Sequence, residues 1–176
     1  GLRLIAAFLE LGRKTLIQVL PGLGCALKDI AEKDRVLEME FFFSLNSTKT
    51  TKDFLSAAMG GGGLSQENLS HSQKILRGLM NGFIDVVFRH EGRYYILEYK
   101  TNDLGPDKQA YKKEGLDSAM AEHAYGLQYA IYLIALHRYL KVRLEGYSPE
   151  LLGGVYYLFV RGLRGVGEDG VFWLND

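Results

Sequence analysis

Residues 82–100 read Gly82-Phe83-Ile84-Asp85-Val86-Val87-Phe88-Arg89-His90-Glu91-Gly92-Arg93-Tyr94-Tyr95-Ile96-Leu97-Glu98-Tyr99-Lys100. Two runs rich in β-branched and aromatic residues flank Glu91–Gly92, a pair suited to the two-residue loop that closes a tight hairpin. With that loop His90 faces Arg93, and Asp85 falls directly opposite Glu98, with Cβ atoms about 5 Å apart. Lys100 stands two residues beyond Glu98 and shares its face. Ile84, Val86, Ile96 and Leu97 make the surroundings apolar.

Like charges set opposite one another destabilise a sheet, and more so where burial lowers the effective dielectric. One or both carboxyls should therefore have a raised pKa. A divalent cation is the natural compensation, since Mg2+ takes one or two carboxylates plus waters and phosphate oxygens. A lysine beside such a pair can hold a nucleophilic water or stabilise developing negative charge. Asp85, Glu98 and Lys100 thus form a compact phosphodiester-cleaving constellation. The plainer reading of the same residues is a surface hairpin with an ordinary charge cluster.

Outward from the hairpin, residues 36–45 alternate with a period of two: Leu37, Met39, Phe41, Phe43 and Leu45 on one face, Glu38, Glu40 and Ser44 on the other. This pattern predicts a half-buried strand over 36–44. The hairpin strands are expected at 74–89 and 93–101, and a further strand at 153–161, with a short final strand at 170–174. Residues 123–143 predict a strong helix that is apolar nearly all round and hence largely buried. Residues 107–121 predict a weaker helix, interrupted by Gly115. Residues 1–32 read as helical with a break at Pro21–Gly22–Leu23–Gly24. Residues 46–73 form a polar insertion with one short helix, Lys52 to Met59, ended by four glycines, and flexibility is expected there. The succession predicts one α/β domain over 1–176 with a central mixed β-sheet flanked by helices.

At 176 residues the chain can bury a full core without a staple. Apolar residues make up 47% and charged residues 24%, which excludes a disordered, collagen-like or coiled-coil chain. Lys+Arg and Asp+Glu both total 21, so no basic excess advertises nucleic-acid binding, although a local groove can be basic in a neutral protein. Cys25 is the single cysteine, so an internal disulfide is impossible and a cytoplasmic setting is expected. No apolar run reaches the roughly 18 residues of a membrane span. The start at Gly1 reads as a piece of a longer protein.

The stretch from Gly82 to Asn102 resembles the C-terminal nuclease domain of the RecB family, the beta subunits of exodeoxyribonuclease V, a branch of the restriction-endonuclease-like PD-(D/E)xK superfamily. The resemblance continues through Tyr125-Gly126-Leu127-Gln128-Tyr129-Ala130-Ile131-Tyr132, Ala135-Leu136-His137-Arg138-Tyr139-Leu140 and residues 153–162. It implies a restriction-endonuclease-like core and Mg2+-dependent hydrolysis of DNA. It also implies a place in a helicase–nuclease that acts with RecC-like and RecD-like subunits at double-strand DNA ends in recombinational repair. By the same resemblance Asp85, Glu98 and the Tyr99 carbonyl would bind metal, Lys100 would be the catalytic lysine, and Gln128 and Tyr132 would match a Gln-x-x-x-Tyr signature that orients the site or the DNA. Glu38 matches the acidic residue of the family's first strand and is a further candidate.

The sequence departs from the family at two points. Glu98 stands where this branch commonly has Asp, a change the wider superfamily accepts. The family also places a metal-binding His upstream of the first strand, and residues 1–35 contain none. The alternative function is therefore a catalytically weak DNA-docking or subunit-contact module of the same fold. Related nucleases that carry four cysteines for an iron–sulfur cluster are excluded by the cysteine count.

Overall fold

A computed structural model of the chain describes residues 2–45 and 78–175. Among these residues five strands form one sheet in the order β1-β2-β3-β4-β5. The strands are β1 (Arg35–Leu45), β2 (Gly78–His90), β3 (Arg93–Lys100), β4 (Leu152–Phe159) and β5 (Val171–Leu174). β3 and β4 pair in parallel and every other neighbour is antiparallel, so the sheet is mixed as expected. A parallel pair needs a long crossover. Here it contains α2 (Lys113–Glu122) and α3 (Tyr125–Arg143).

Both faces of the sheet are covered at β3 and β4, while Val36, Leu37 and Phe42 of β1 and Phe83 of β2 stay exposed. On one, Met39, Ile84, Val87, Ile96, Tyr157 and Phe159 pack with Leu116 of α2 and with Tyr129, Ala130 and Leu136 of α3. On the other, Val86, Phe88, Leu97, Tyr156 and Leu158 pack against Leu20, Leu27, Ile30 and Leu163. This double cover explains why Val155 to Phe159 is a continuous apolar run rather than an alternating one. α3 buries Gly126, Tyr129, Ala130, Tyr132, Ile134, Ala135, Leu136 and Leu140, as its composition requires.

The tight hairpin is present. Glu91 and Gly92 both have positive φ, 49° and 82°, which is the geometry of a two-residue turn matched to strand twist. His90 pairs with Arg93 and the register runs without slip to Val86–Leu97.

Two expectations need correction. The helix foreseen over 1–32 is α1 (Leu2–Ile17), and beyond the Pro21–Gly24 break Leu27–Asp29 forms only a short 3-10 turn. Pro21 lacks the N–H a helix would use and disfavours helical backbone in the residue before it. Gln18 is fully buried and fastens the chain elsewhere: its amide donates to the Gly167 carbonyl (2.8 Å) and accepts from the Gly165 N–H (3.0 Å). The weak helix of 107–121 is in fact a 3-10 turn (Lys108–Tyr111) followed by α2. Asp107 caps that turn by accepting from the Gln109 N–H (2.9 Å). The insertion at 46–73 and its helix at Lys52 to Met59 lie outside the described residues.

Candidate active site

The regular β2–β3 ladder stops one step short of Asp85 and Glu98. The two carboxylates are thus not the regular cross-strand pair that the register alone implies. Ile84 belongs to the core under α3 and Val86 to the core on the other face, so Asp85 stands at the step where β2 passes from one to the other. Its carboxylate accepts the Tyr99 backbone N–H at 2.8 Å, a bond that joins the two strands where the ladder has ended.

Glu98 and Lys100 are buried, 6% and 9% exposed. Lys100 Nζ donates to Glu98 Oε1 (3.1 Å) and to Gln128 Oε1 (2.9 Å). Gln128 Nε2 donates to the same Glu98 Oε1 (3.0 Å) and to the Tyr132 hydroxyl (2.8 Å). The Tyr157 hydroxyl donates to Gln128 Oε1 (3.2 Å). Gln128 can satisfy these partners in one amide orientation only, because an ammonium needs the carbonyl oxygen and a carboxylate needs the NH2. Gln128 and Tyr132 stand four apart on α3, which places both on the face turned to the sheet.

Burial is the main cause that raises the Glu98 pKa; Lys100 opposes it and Asp85 adds to it. The raised carboxyl expected from the sequence therefore owes more to desolvation than to repulsion. Burial, with Glu98 next, pushes the Tyr132 phenol up to about 12. Burial and then Asp85 raise Tyr99.

Among the described residues, Glu98 Oε2 is the buried side-chain polar atom with no hydrogen-bond partner. An orphaned carboxylate oxygen carries its full desolvation cost. A hard cation would remove that cost, and oxygen donors from Asp85, Glu98 and a backbone carbonyl suit Mg2+. The residues present fit such an ion. No cluster of three or more His, Cys, Asp or Glu side chains occurs among the described residues.

Glu38 occupies the same step of the sheet as Asp85, between the pairs Leu37–Val86 and Met39–Ile84. It has φ of 50° and is exposed, and no hydrogen bond or ion pair among the described residues joins it to Glu98 or Lys100. The sequence pattern assigns no role to His123 or Tyr125, and the fold sets them beside the segment that carries the lysine. Tyr125 stacks under Lys100, and His123 meets Asn102 two residues beyond it. Tyr157 was also missed, since its alignment with Glu98 depends on a parallel register that no sequence pattern announces. A cavity of about 570 Å³ opens elsewhere, between α2, the start of α3 and β5, lined by Leu116, Met120, Tyr129, Phe172 and Trp173.

A family model of the PD-(D/E)XK nuclease superfamily matches residues 25–172. The chain belongs to that superfamily. The chain is 40% identical over 141 residues to the RecBCD enzyme subunit RecB of Escherichia coli, covering 80% of this chain and 12% of that protein. It is 39% identical over 152 residues to RecB of Haemophilus influenzae, covering 86% and 12%. RecB of Mycolicibacterium smegmatis is 33% identical over 186 residues, covering 93% and 17%. The chain therefore spans between an eighth and a sixth of these relatives, and its match is to the nuclease part of RecB.

Proposed function

We propose that the chain is a Mg2+-dependent DNA nuclease domain that hydrolyses phosphodiester bonds as the exonuclease part of a RecBCD-type helicase–nuclease. Its partners would be DNA and RecC-like and RecD-like subunits, at double-strand ends. The observation that carries this reading is the buried Lys100 ammonium, held between Glu98 and Gln128 beside an unpartnered carboxylate oxygen. A docking module has no use for so costly an arrangement.

In this reading Asp85, Glu98 and the Tyr99 carbonyl hold the cation. A bound Mg2+ would supply charge neutralisation at the scissile phosphate and a lowered pKa for water. Lys100 directs an N–H toward the attacking water or the developing phosphorane charge. Gln128 fixes the ammonium through its carbonyl and Glu98 through its amide, so both reacting groups are set by one side chain. Tyr157 and Tyr132 hold that amide in turn. The Tyr99 N–H bond fixes Asp85 without using its second oxygen.

The test uses the full helicase–nuclease carrying Asp85→Ala or Lys100→Ala. Each should lower DNA cleavage at least a hundredfold while ATP-driven unwinding continues at the wild-type rate, because the roles are realised only in the transition state of cleavage. Cleavage retained in both variants would move the assignment to the docking or subunit-contact module.

A further inference from the structure

Lys100 has a third contact, and it is to carbon. The ammonium lies 4.1 Å from the centroid of the Tyr125 ring and 5.3 Å from that of Tyr157. The two rings are 5.8 Å apart. Given that Lys100 acts in cleavage as proposed above, we infer that Tyr125 is a positioning residue for that lysine, through the electrostatic attraction of its ring face for the ammonium.

Three observations support this role. First, the contact is desolvated on the lysine side, since Lys100 is 9% exposed, and a cation over an aromatic face gains most where water is excluded. Second, Tyr125 is itself held in place. Its hydroxyl donates to Asn102 Oδ1 (3.0 Å), and Asn102 Nδ2 meets His123 Nε2 at 3.2 Å. Asn102 follows Lys100 by two residues, so the clamp on the ring comes from the same segment that carries the lysine. Third, the chain bends to deliver the ring. Ala124 has φ of 53°, which breaks α2 from α3 and makes Tyr125 the first residue of α3.

The chemistry favours a ring over another carboxylate. The ammonium already has Glu98 and Gln128 as acceptors. A third anion would add negative charge next to Asp85 and Glu98, where a phosphate must approach. An aromatic face holds the cation without adding net charge, and it competes for the remaining N–H less strongly than an anion would. The lysine is thus restrained while one donor stays available.

The experiment replaces Tyr125 in the full helicase–nuclease by Phe, by mono-, di- and trifluorinated Phe, and by Leu. Cleavage kcat, the KM for DNA, Mg2+ half-saturation and unwinding are measured for each, with Lys100→Ala alongside. Fluorination drains the ring face with little change of shape, so kcat should fall stepwise along the series. It should reach about a thirtyfold loss in Tyr125→Leu, the size expected of a desolvated cation–π contact. KM, Mg2+ half-saturation and unwinding should stay within about twofold. Tyr125→Phe should keep most of the activity, because the ring remains. If Lys100→Ala is inactive and the fluorinated series is flat in kcat, the positioning role of the ring is overturned while the lysine's role stands. If Lys100→Ala cleaves normally, the reading of the site fails first. A loss in the series that appears in KM with kcat constant would also overturn the inference, since it would place Tyr125 in substrate binding.

Discussion

At the residue scale, Glu98 concentrates the conflict in this molecule. One carboxylate oxygen has two donors and the other has none. Its pKa is raised from an ordinary 4.5, chiefly by burial. The folded metal-free protein therefore binds this proton more tightly than the unfolded chain does. The stabilising contribution is fully present below 4.5 and is lost as pH rises through the folded value. In Glu98→Gln that contribution no longer titrates. Melting of the metal-free chain against pH should therefore show a gap between variant and wild type that moves in favour of the variant as pH rises above 4.5, then levels off. A pH-independent gap would mean that Glu98 has the same pKa folded and unfolded. That Asp85, Glu98 and Lys100 come close together was legible in the sequence, because a two-residue loop sets β2 against β3, but the end of regular pairing at Val86–Leu97 was not. The orphaned oxygen was not, because it depends on how β2 and β3 separate at Asp85 and on which donors α3 brings to one oxygen only.

At the scale of elements, α2 shows where propensity misleads. Gly115 reads as a weak point in a helix, and a glycine there costs about 1 kcal/mol relative to alanine. In the fold, a Cβ on Gly115 would meet the Ala110 backbone, with its carbonyl carbon at 2.6 Å and its Cα at 2.7 Å. Ala110 lies in the 3-10 turn Lys108–Tyr111, which packs directly before α2. The glycine is there to admit that turn, and backbone cannot move aside as a side-chain tip can. Gly115→Ala should therefore destabilise the chain by about 1–3 kcal/mol, the usual cost of overpacking, instead of stabilising it. Calorimetric melting decides: a higher Tm in the variant would mean the turn yields. β1 to β4 and α3 were legible within a few residues, because their apolar patterns are long and their periods differ. The segment from Gln18 to Glu32 was not, since its route is set by tertiary bonds from Gln18 to residues 165–167, far along the chain.

At the scale of the whole molecule, the sheet places the proposed site at a seam. Most of the sheet is sealed between two apolar layers, and the ladder of β2 and β3 ends where Asp85 and Glu98 stand. The regular pairs up to Val86–Leu97 hold the strands rigid, so the carboxylates have little freedom to relax apart. A cation that binds the folded seam and not the unfolded chain must then stabilise the entire fold, by RT ln(1 + [L]/Kd), about 1.4 kcal/mol at roughly ten times Kd. Removing one carboxylate charge should act in two opposite directions. Asp85→Asn eases repulsion on Glu98, which Asp85 raises, while keeping an oxygen that can accept the Tyr99 N–H. Without metal, Asp85→Asn should melt at or above the wild-type temperature at pH 8. With Mg2+ the wild type should gain Tm and the variant should not, so the order of the two reverses at saturating metal. Ca2+, also an oxygen-seeking cation, should shift the wild type in the same sense whether or not it supports cleavage. If Asp85→Asn melts lower without metal and still shows the wild-type Mg2+ shift, the cation does not bind at the seam, and the two carboxylates are only a charge cluster on a hairpin.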